Sequence, residues 1–306
     1  MSRAVVFAYH NVGVRCLSVL LAHDVEVQLV ITHTDNPTEN IWFDSVERLA
    51  EAHHLPCATP QDPNSPEWID RIRALNPDFI FSFYYRHLLN TTLLDAARLG
   101  AYNMHGSLLP KYRGRVPVNW AIINGERQTG VTLHRMVAKP DAGDWIAQQA
   151  VPILPEDTAL DVFQKVTVAA EIALDNVLPD LLAGVAVHTP LDLSQGSYFG
   201  GRKPDDGRID WTQNAQRIHN LIRAVAPPYP GAFSEVQGKH LRFLHSRIDN
   251  TQHAHATAPC LYTEGAALFA VCGDGRTLAV QAEYGDRPLD SATFAALFGA
   301  TSIPAC

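Results

Sequence analysis

The first part of the chain alternates between short, continuously apolar runs and longer stretches whose apolar residues recur at helical spacing. The continuous runs predict strands at Ala4–Tyr9, Val25–Thr32, Leu55–Ala58 and Phe79–Tyr84. The stretches between them predict helices at Val14–Ala22, at Phe43–Ala52 and from Pro66 onward. Strands that are apolar throughout and alternate with helices are typical of a parallel sheet covered on both faces. This part of the chain therefore predicts an α/β domain.

The pattern changes after the fourth of these strands. Further strands are predicted at Ala101–His105, Val131–Met136 and Trp145–Val151, and helices at Val116–Ile123, Thr158–Ala183 and Ala215–Val225. The stretch Ser194–Asp210 is polar and glycine-rich, which indicates a linker or a functional loop. The last segments are short, strand-like and separated by turn residues, and they lie at Ala232–Val236, His240–His245, Ala267–Cys272 and Leu278–Ala282. They predict a small β-barrel-like domain.

The length of 306 residues fits two domains at roughly 100–200 residues each. We expect a catalytic domain at 1–190, a linker at 191–211 and a β-domain at 212–306. No apolar run approaches the ~20 residues of a membrane span, and the start of the chain is too short of apolar residues for a secretory signal. The five cysteines (Cys16, Cys57, Cys260, Cys272, Cys306) form no CxxC pair, which favours reduced thiols in a cytoplasmic protein.

The charge balance argues against a nucleic-acid or anionic-membrane partner. The chain has 24 Lys and Arg against 32 Asp and Glu, a net charge of −8. From Asp206 onward, eight basic residues stand against nine acidic ones, so the second domain is not a hidden basic module.

Potential chemistry is densest in Ala101–Asn119, which reads AYNMHGSLLPKYRGRVPVN. Side chains alternate faces along a strand, so Asn103 and His105 should project together near the carboxyl end of their strand. In open α/β sheets, ligands bind at that edge. An amide there can stabilise an oxyanion, and an imidazole can move a proton near neutral pH. A single histidine at a strand end is more often structural.

The loop that follows favours the catalytic interpretation. Its two prolines, its glycine and the cations Arg113 and Arg115 make a stiff, basic segment suited to an anionic ligand. Farther along, Asp141 lies in a predicted turn. It is either ordinary turn chemistry or a carboxylate that orients His105, and its position in the sequence leaves both open.

Other common sites are missing from the sequence. No GxGxxG follows the first strand, and there is no P-loop and no HExxH. The pairs His53–His54 and His253/His255 lie in polar stretches without a matching ligand set, so we expect surface histidines and no metal.

The run from Asn103 to Pro110, followed by Arg113-Gly-Arg115 and Asp141-Ala-Gly143, resembles the signature of the formyltetrahydrofolate-dependent formyltransferases. The resemblance covers essentially the whole chain. It implies a Rossmann-like, mostly parallel catalytic domain, a small OB-like β-barrel domain, N10-formyltetrahydrofolate as formyl donor and no metal. It also implies a catalytic set of Asn103, His105 and Asp141. The donor contacts that it implies are His87, Leu88, Leu89, Arg115, Val137, Ala138, Lys139, Pro140 and Asp141.

Within the family, the chain is most similar to enzymes that N-formylate UDP-4-amino-4-deoxy-L-arabinose in lipid A modification, a route to polymyxin resistance. The segments that carry this are Val5–Gly13, Ile31–Pro37, Phe81–Leu89, Gly130–Gly143, Phe199–Trp211 and Arg223–Phe233. Arg202 and Lys203 are either contacts for the nucleotide diphosphate or a solvated basic turn. The best-known member of that subfamily carries a fused decarboxylase. Because this chain ends at Cys306, we expect a separate decarboxylase or a different amino-sugar, and the oligomeric state stays open.

Three alternatives accompany this prediction. Methionyl-tRNA formyltransferase is disfavoured because the loop after the second strand, HTDNPTENIWFDSVE, is acidic and aromatic where that enzyme needs basic surface. A different nucleotide-linked amino-sugar, such as a dTDP-4-amino-hexose, would keep the reaction and change the acceptor. A catalytically silent binding protein would have no need for the complete set of Asn103, His105 and Asp141.

Overall fold

The computed structural model describes residues 1–249 and 258–305, and the contacts of the chain divide it into two compact units. The first unit comprises residues 1–117, 128–152 and 163–200. The second comprises residues 118–127, 153–162 and 201–306. Two stretches of the second unit thus come from within the range predicted for the catalytic domain. The domain bounds given above stay a prediction.

Strands and helices alternate through the first 200 residues, as the apolar pattern indicates. In chain order they are β1 (Arg3–Ala8), α1 (His10–Ala22), β2 (Glu26–Ile31), α2 (Val46–Ala52), β3 (Cys57–Ala58), α3 (Pro66–Leu75), β4 (Phe79–Phe83), α4 (Thr91–Leu94), β5 (Gly100–His105), β6 (Arg113–Gly114), α5 (Pro117–Ile123), β7 (Gln128–Arg135), β8 (Trp145–Pro152), α6 (Ala159–Leu182) and β9 (Tyr198–Phe199). The helix α1 begins four residues earlier than the apolar spacing predicts, directly after the first strand. The pair β6 and β9 joins a part of the predicted linker to the basic loop.

Seven strands form one sheet in the order β3-β2-β1-β4-β5-β7-β8. The strands from β3 to β5 run parallel, whereas β7 is antiparallel to β5 and to β8. The register sets Asn103 of β5 between Ser82 of β4 and His134 of β7. The mostly parallel, Rossmann-like sheet predicted for the catalytic domain is confirmed.

The core on one face of this sheet explains why the apolar runs become strands. Val5 and Phe7 of β1 and Ile80 of β4 are fully buried, and they share a cluster with Ile69 and Ile72 of α3. Burying side chains of this size contributes about 1.5–3 kcal/mol each. The packed face fixes the pairing register, because a slip of one residue would turn the apolar side chains outward.

The second unit carries an antiparallel sheet. Its elements after residue 200 are α7 (Ala215–Ala224), β10 (Ala232–Val236), β11 (Lys239–Asp249), β12 (Cys260–Glu264), β13 (Ala267–Val271), β14 (Thr277–Tyr284), β15 (Arg287–Pro288), α8 (Ser291–Phe298) and β16 (Ser302–Pro304). The sheet runs β10-β11-β14-β13-β12-β16 as a half-barrel. Trp211, Phe243 and Phe294 are buried in its core. The predicted α/β fold with a small β-domain is confirmed; β12, α8 and β16 were not predicted, because their apolar runs are too short to stand out.

Candidate active site

Asn103 and His105 project from one face of β5, at the edge where the parallel strands end. His105 is 7% exposed and Asn103 is half-buried. The strand ends at His105, and at the following Gly106 the hydroxyl of Tyr84 occupies the space that a Cβ would need. A larger residue at this position would have to displace the side chain of Tyr84, and the chain that follows enters the basic loop.

The imidazole of His105 lies between two oxygen atoms. Its Nε2 is 2.8 Å from the carbonyl oxygen of Tyr112, and its Nδ1 is 3.5 Å from Oδ1 of Asp141. A carbonyl oxygen only accepts, so Nε2 carries the proton and the lone pair at Nδ1 faces the carboxylate. Burial lowers the pKa of His105, whereas the charge of Asp141 acts in the opposite direction. The resting imidazole is therefore neutral at pH 7.

Asp141 is a carboxylate despite its burial. Although burial by itself would raise its pKa, the neighbouring His105, His134 and the backbone N–H of Gly114 together hold that pKa well below its usual range. The Gly114 N–H donates to Oδ2 at 2.9 Å. Asp141 has a φ of 51°, in the left-handed region that an aspartate tolerates better than most side chains. Asp141 thus lies in a turn and close to His105, and its catalytic role stays a prediction.

Asn103 contacts a residue that the sequence analysis did not single out. Its Nδ2 lies 3.1 Å from Nε2 of His134, which is 1% exposed and directly opposite Asn103 in the β5–β7 ladder. The same Nε2 is 3.6 Å from Oδ1 of Asp141. His134 therefore lies between the amide and the carboxylate of the predicted set.

The basic loop contributes a buried cation. Arg113 is 9% exposed, and within residues 1–249 and 258–305 its Nε has no hydrogen-bond partner. Its backbone is fixed by the short β6–β9 pairing, where Arg113 lies opposite Tyr198. A buried guanidinium nitrogen without a hydrogen-bond partner is unfavourable, and an anionic ligand that accepted from it would offset that cost.

Sequence reasoning singled out Asn103, His105 and Asp141, which the structure brings close together, and it did not identify the groups that connect them. Tyr112 and Gly114 act through backbone atoms, which no side-chain pattern reveals. His134 left a signal, because a histidine inside the apolar run Val131–Met136 is a polar residue at a position that the strand must bury.

Comparison with known protein families gives the family that the sequence motifs resemble. The family model described as formyl transferase matches residues 16–178, and the model of its C-terminal domain matches residues 202–298. The chain belongs to the formyl transferase family. It is thus an enzyme of that class. The matched ranges include Asn103, His105 and Asp141 and extend over parts of both compact units.

Solved structures with the same fold include other formyltransferases. An N-formyltransferase from Helicobacter canadensis, in complex with folinic acid and dTDP-3-aminofucose, is 20% identical, with a TM-score of 0.73 over 92% of this chain and 100% of that one. The sugar 3N-formyltransferase WlaRD, in the presence of dTDP and 5-N-formyl-THF, is 20% identical, with a TM-score of 0.71 over 94% and 98%. A 4-N-formyltransferase from Francisella tularensis is 20% identical, with a TM-score of 0.64 over 78% and 95%.

The donor contacts predicted for this formyltransferase lie in exposed loops of the first unit. His87 and Leu88 follow β4, and Leu88 is 73% exposed with its carbonyl oxygen bound by Asn64. Leu89 and Pro140 are half-buried, whereas Arg115, Val137, Ala138 and Lys139 are exposed. Exposed apolar side chains such as Leu88 and Val137 are suited to cover a flat ring system.

The predicted acceptor contacts belong to the second unit of this formyltransferase. The guanidinium of Arg202 packs 4.9 Å above the ring of Trp120 and donates to the carbonyl oxygen of Asp206 at 2.6 Å. Lys203 is exposed. Both therefore stay predictions as ligand contacts, and Arg202 is already held in place by its own unit.

The described residues hold no group of three or more His, Cys, Asp or Glu side chains suited to a metal ion. His253, His255 and Cys306 lie outside the described residues, whereas Cys16, Cys57, Cys260 and Cys272 are free thiols. Of the helices in the described part of the chain, none combines the length and the apolar composition that a bilayer crossing requires. The cytoplasmic location stays a prediction.

Proposed function

We propose that this formyltransferase transfers the formyl group of N10-formyltetrahydrofolate to the 4-amino group of UDP-4-amino-4-deoxy-L-arabinose. The observation that carries the proposal is the grouping of Asn103, His105 and Asp141 at one end of β5, with His105 and Asp141 3.5 Å apart. Structures of similar fold, described with folinic acid and with dTDP-3-aminofucose, support a folate donor and a nucleotide-linked amino-sugar.

The reaction places a negative charge where Asn103 can meet it. The amine nitrogen attacks the formyl carbon, and the carbonyl oxygen becomes an oxyanion in the tetrahedral intermediate. One N–H of Asn103 is directed at His134, and the second N–H of that amide is left for the oxyanion. One such donor contributes about 3–4 kcal/mol to the transition state. Collapse of the intermediate breaks the bond to N10, which takes up the proton that the amine lost to His105 and leaves as tetrahydrofolate.

His105 receives the proton that the amine loses. Its Nε2–H is engaged by the carbonyl oxygen of Tyr112, so the free lone pair is at Nδ1 and faces Asp141. A proton that arrives there creates an imidazolium beside a carboxylate. Burial keeps the resting ring neutral, and Asp141 stabilises the charge only when it forms.

The cations of the loop are suited to the anionic groups of both substrates. Arg113 is buried with an unpartnered Nε, Arg115 is exposed beside it, and Lys139 is exposed in the loop that carries Asp141. Folate carboxylates and a nucleoside diphosphate are the anions that this chemistry requires. In the second unit, Arg202 and Lys203 are our candidates for the diphosphate, because the guanidinium of Arg202 retains donors beyond its bond to Asp206.

An acceptor with a different nucleotide or amino-sugar is the second candidate, and the 3-amino and 4-amino specificities of the similar structures favour it over a tRNA. The loop between β2 and α2 also disfavours a tRNA. It carries Asp35, Glu39 and Asp44 and no lysine or arginine, whereas a phosphate backbone demands cations. A separate decarboxylase that supplies the arabinose derivative forms part of the first proposal only.

A panel assay tests the proposal. The purified chain is incubated with N10-formyltetrahydrofolate and, separately, with UDP-4-amino-4-deoxy-L-arabinose, dTDP-3- and dTDP-4-amino-hexoses and charged initiator tRNA. We expect a product heavier by one formyl group, measured by mass spectrometry, with the UDP-sugar giving the highest kcat/KM. Faster turnover of a dTDP-sugar would identify that sugar as the acceptor in place of the UDP-sugar. Formylation of the tRNA alone would overturn the assignment to sugars, and binding of the donor without any turnover would indicate a silent binding protein.

A further inference from the structure

A buried histidine outside the predicted catalytic set contacts two of its members. His134 lies across the β5–β7 ladder from Asn103, is 1% exposed, and places Nε2 3.1 Å from Nδ2 of Asn103. We propose that His134 is a positioning residue that holds the carboxamide of Asn103 in the one orientation that presents an N–H to the oxyanion. This inference rests on the proposed role of Asn103 in formyl transfer.

Hydrogen-bond chemistry determines which nitrogen of His134 carries the proton. Its Nδ1 lies 3.0 Å from the carbonyl oxygen of Arg135, and a carbonyl oxygen only accepts. The proton of the neutral ring is therefore on Nδ1, and Nε2 offers a lone pair. That lone pair accepts an N–H from the amide of Asn103.

The same lone pair selects between the two orientations of the amide. If the carboxamide of Asn103 turned by half a rotation, its oxygen would face Nε2, and two acceptors would meet in a buried position. Such a contact loses a hydrogen bond and is unfavourable by the desolvation of both atoms. His134 thus keeps the NH2 group of Asn103 facing Nε2, and the second N–H of that NH2 group remains available for the oxyanion.

The carboxylate of Asp141 does not take this hydrogen bond away. Its Oδ1 is 3.6 Å from Nε2 of His134, beyond hydrogen-bond distance, whereas its Oδ2 accepts from the Gly114 N–H at 2.9 Å. Asn103 is therefore the partner that His134 orients, and the loss of His134 should act on the rate through Asn103.

Two amide substitutions at one position test this. A glutamine at 134 places its carbonyl oxygen about where Nε2 lies, whereas an asparagine is one methylene shorter and does not reach Asn103. We expect His134→Gln to retain kcat within about threefold, and His134→Asn and His134→Leu to lower kcat about 10- to 100-fold with KM values nearly unchanged. Thermal unfolding of all three identifies any variant that fails to fold, and the Gln and Asn variants, which differ by one methylene, then carry the comparison.

A double-mutant cycle separates positioning from a general structural role. In an Asn103→Ala background, the amide that His134 orients is gone, so we expect His134→Asn to lower kcat by less than about twofold. Equal rates for the Gln and Asn variants would overturn the inference. Losses in kcat that multiply in the double mutant would also overturn it. The unsubstituted enzyme is first assayed with each amino-sugar nucleotide. If the acceptor turns out to differ from the proposed one, the variants are compared with the acceptor that is turned over, and the test of His134 is unaffected.

Discussion

Two buried histidines, one in each compact unit, show how similar burial leads to different chemistry. His219 of α7 is 2% exposed, with Nδ1 2.9 Å from the hydroxyl of Ser246 and Nε2 2.9 Å from the carbonyl oxygen of Pro155. A hydroxyl can donate and a carbonyl oxygen can accept, so the neutral ring is fully satisfied. His105 is 7% exposed and has the same kind of carbonyl partner, but its other nitrogen faces a carboxylate.

The second partner of each ring indicates which buried histidine can gain a proton. Burial lowers the pKa of both His105 and His219. For His219, a proton would break the bond from the Ser246 hydroxyl, whereas for His105 it would create a positive charge 3.5 Å from the carboxylate of Asp141. A buried histidine between neutral partners is structural, and one beside a carboxylate is suited to acid–base work.

The largest effect should separate the two histidines directly. We expect His105→Ala to lower kcat about 10²- to 10⁴-fold, because the base for the amine is lost. His219→Ala should lower the free energy of unfolding by about 1–3 kcal/mol and leave kcat near that of the unsubstituted enzyme. Steady-state formylation and chemical denaturation of both variants measure this, and a loss of kcat in His219→Ala at full folding would contradict the comparison.

Asn103→Ala should have the next largest effect. Removal of one oxyanion donor is expected to lower kcat about 100- to 1000-fold without a matching loss of stability, since the side chain is half-buried. Single-turnover rates and the melting temperature of the variant test it. Near-normal turnover would remove Asn103 from the chemistry.

Asp141→Asn should alter the pH dependence as well as the rate. The carboxylate raises the pKa of His105 against the effect of burial, so its removal lowers that pKa further. Because the base must be unprotonated, the acid limb of the kcat profile is expected to move to lower pH, while kcat at neutral pH falls about 10- to 100-fold. A profile that moves to higher pH, or does not move, would show that Asp141 does not act on His105.

The smallest effects should come from the second unit. We expect Arg202→Ala or Lys203→Ala to raise the KM for the sugar nucleotide up to roughly tenfold, with kcat nearly unchanged, if they bind the diphosphate. Arg247→Ala, which removes another cation of the same unit, is the matched control. Equal KM values in all three variants would show that Arg202 serves only its contacts with Trp120 and Asp206.

Much of the fold follows from local patterns. The uninterrupted apolar runs predicted β1, β2 and β4, and the helical spacing predicted α3, because sheet cores and amphipathic helices leave a periodic signal over a few residues. The second unit was predicted less completely. Its strand β12 and its helix α8 are short and have no strong period. Strand β12 pairs with its neighbour β13 and with the distant strand β16.

The candidate site divides in the same way. The alternation of side chains along a strand was enough to put Asn103 and His105 on one face, and the family resemblance added Asp141 as a third member. The sequence alone left open whether the carboxylate of Asp141 lies beside the imidazole of His105. The loop after β7 brings its carboxylate to 3.5 Å from Nδ1, with the Gly114 N–H holding its second oxygen.

The sequence by itself thus determined the α/β architecture, the small β-domain and the two polar side chains at the end of β5. These depend on periodicity, on turn residues and on a motif, and each of these signals lies within a short stretch of the sequence. Only the tertiary structure placed His134 across from Asn103 and buried Arg113 in the basic loop. The first depends on the register between β5 and β7, and the second on the path of the loop that carries Arg113. Packing between segments far apart in the chain sets both.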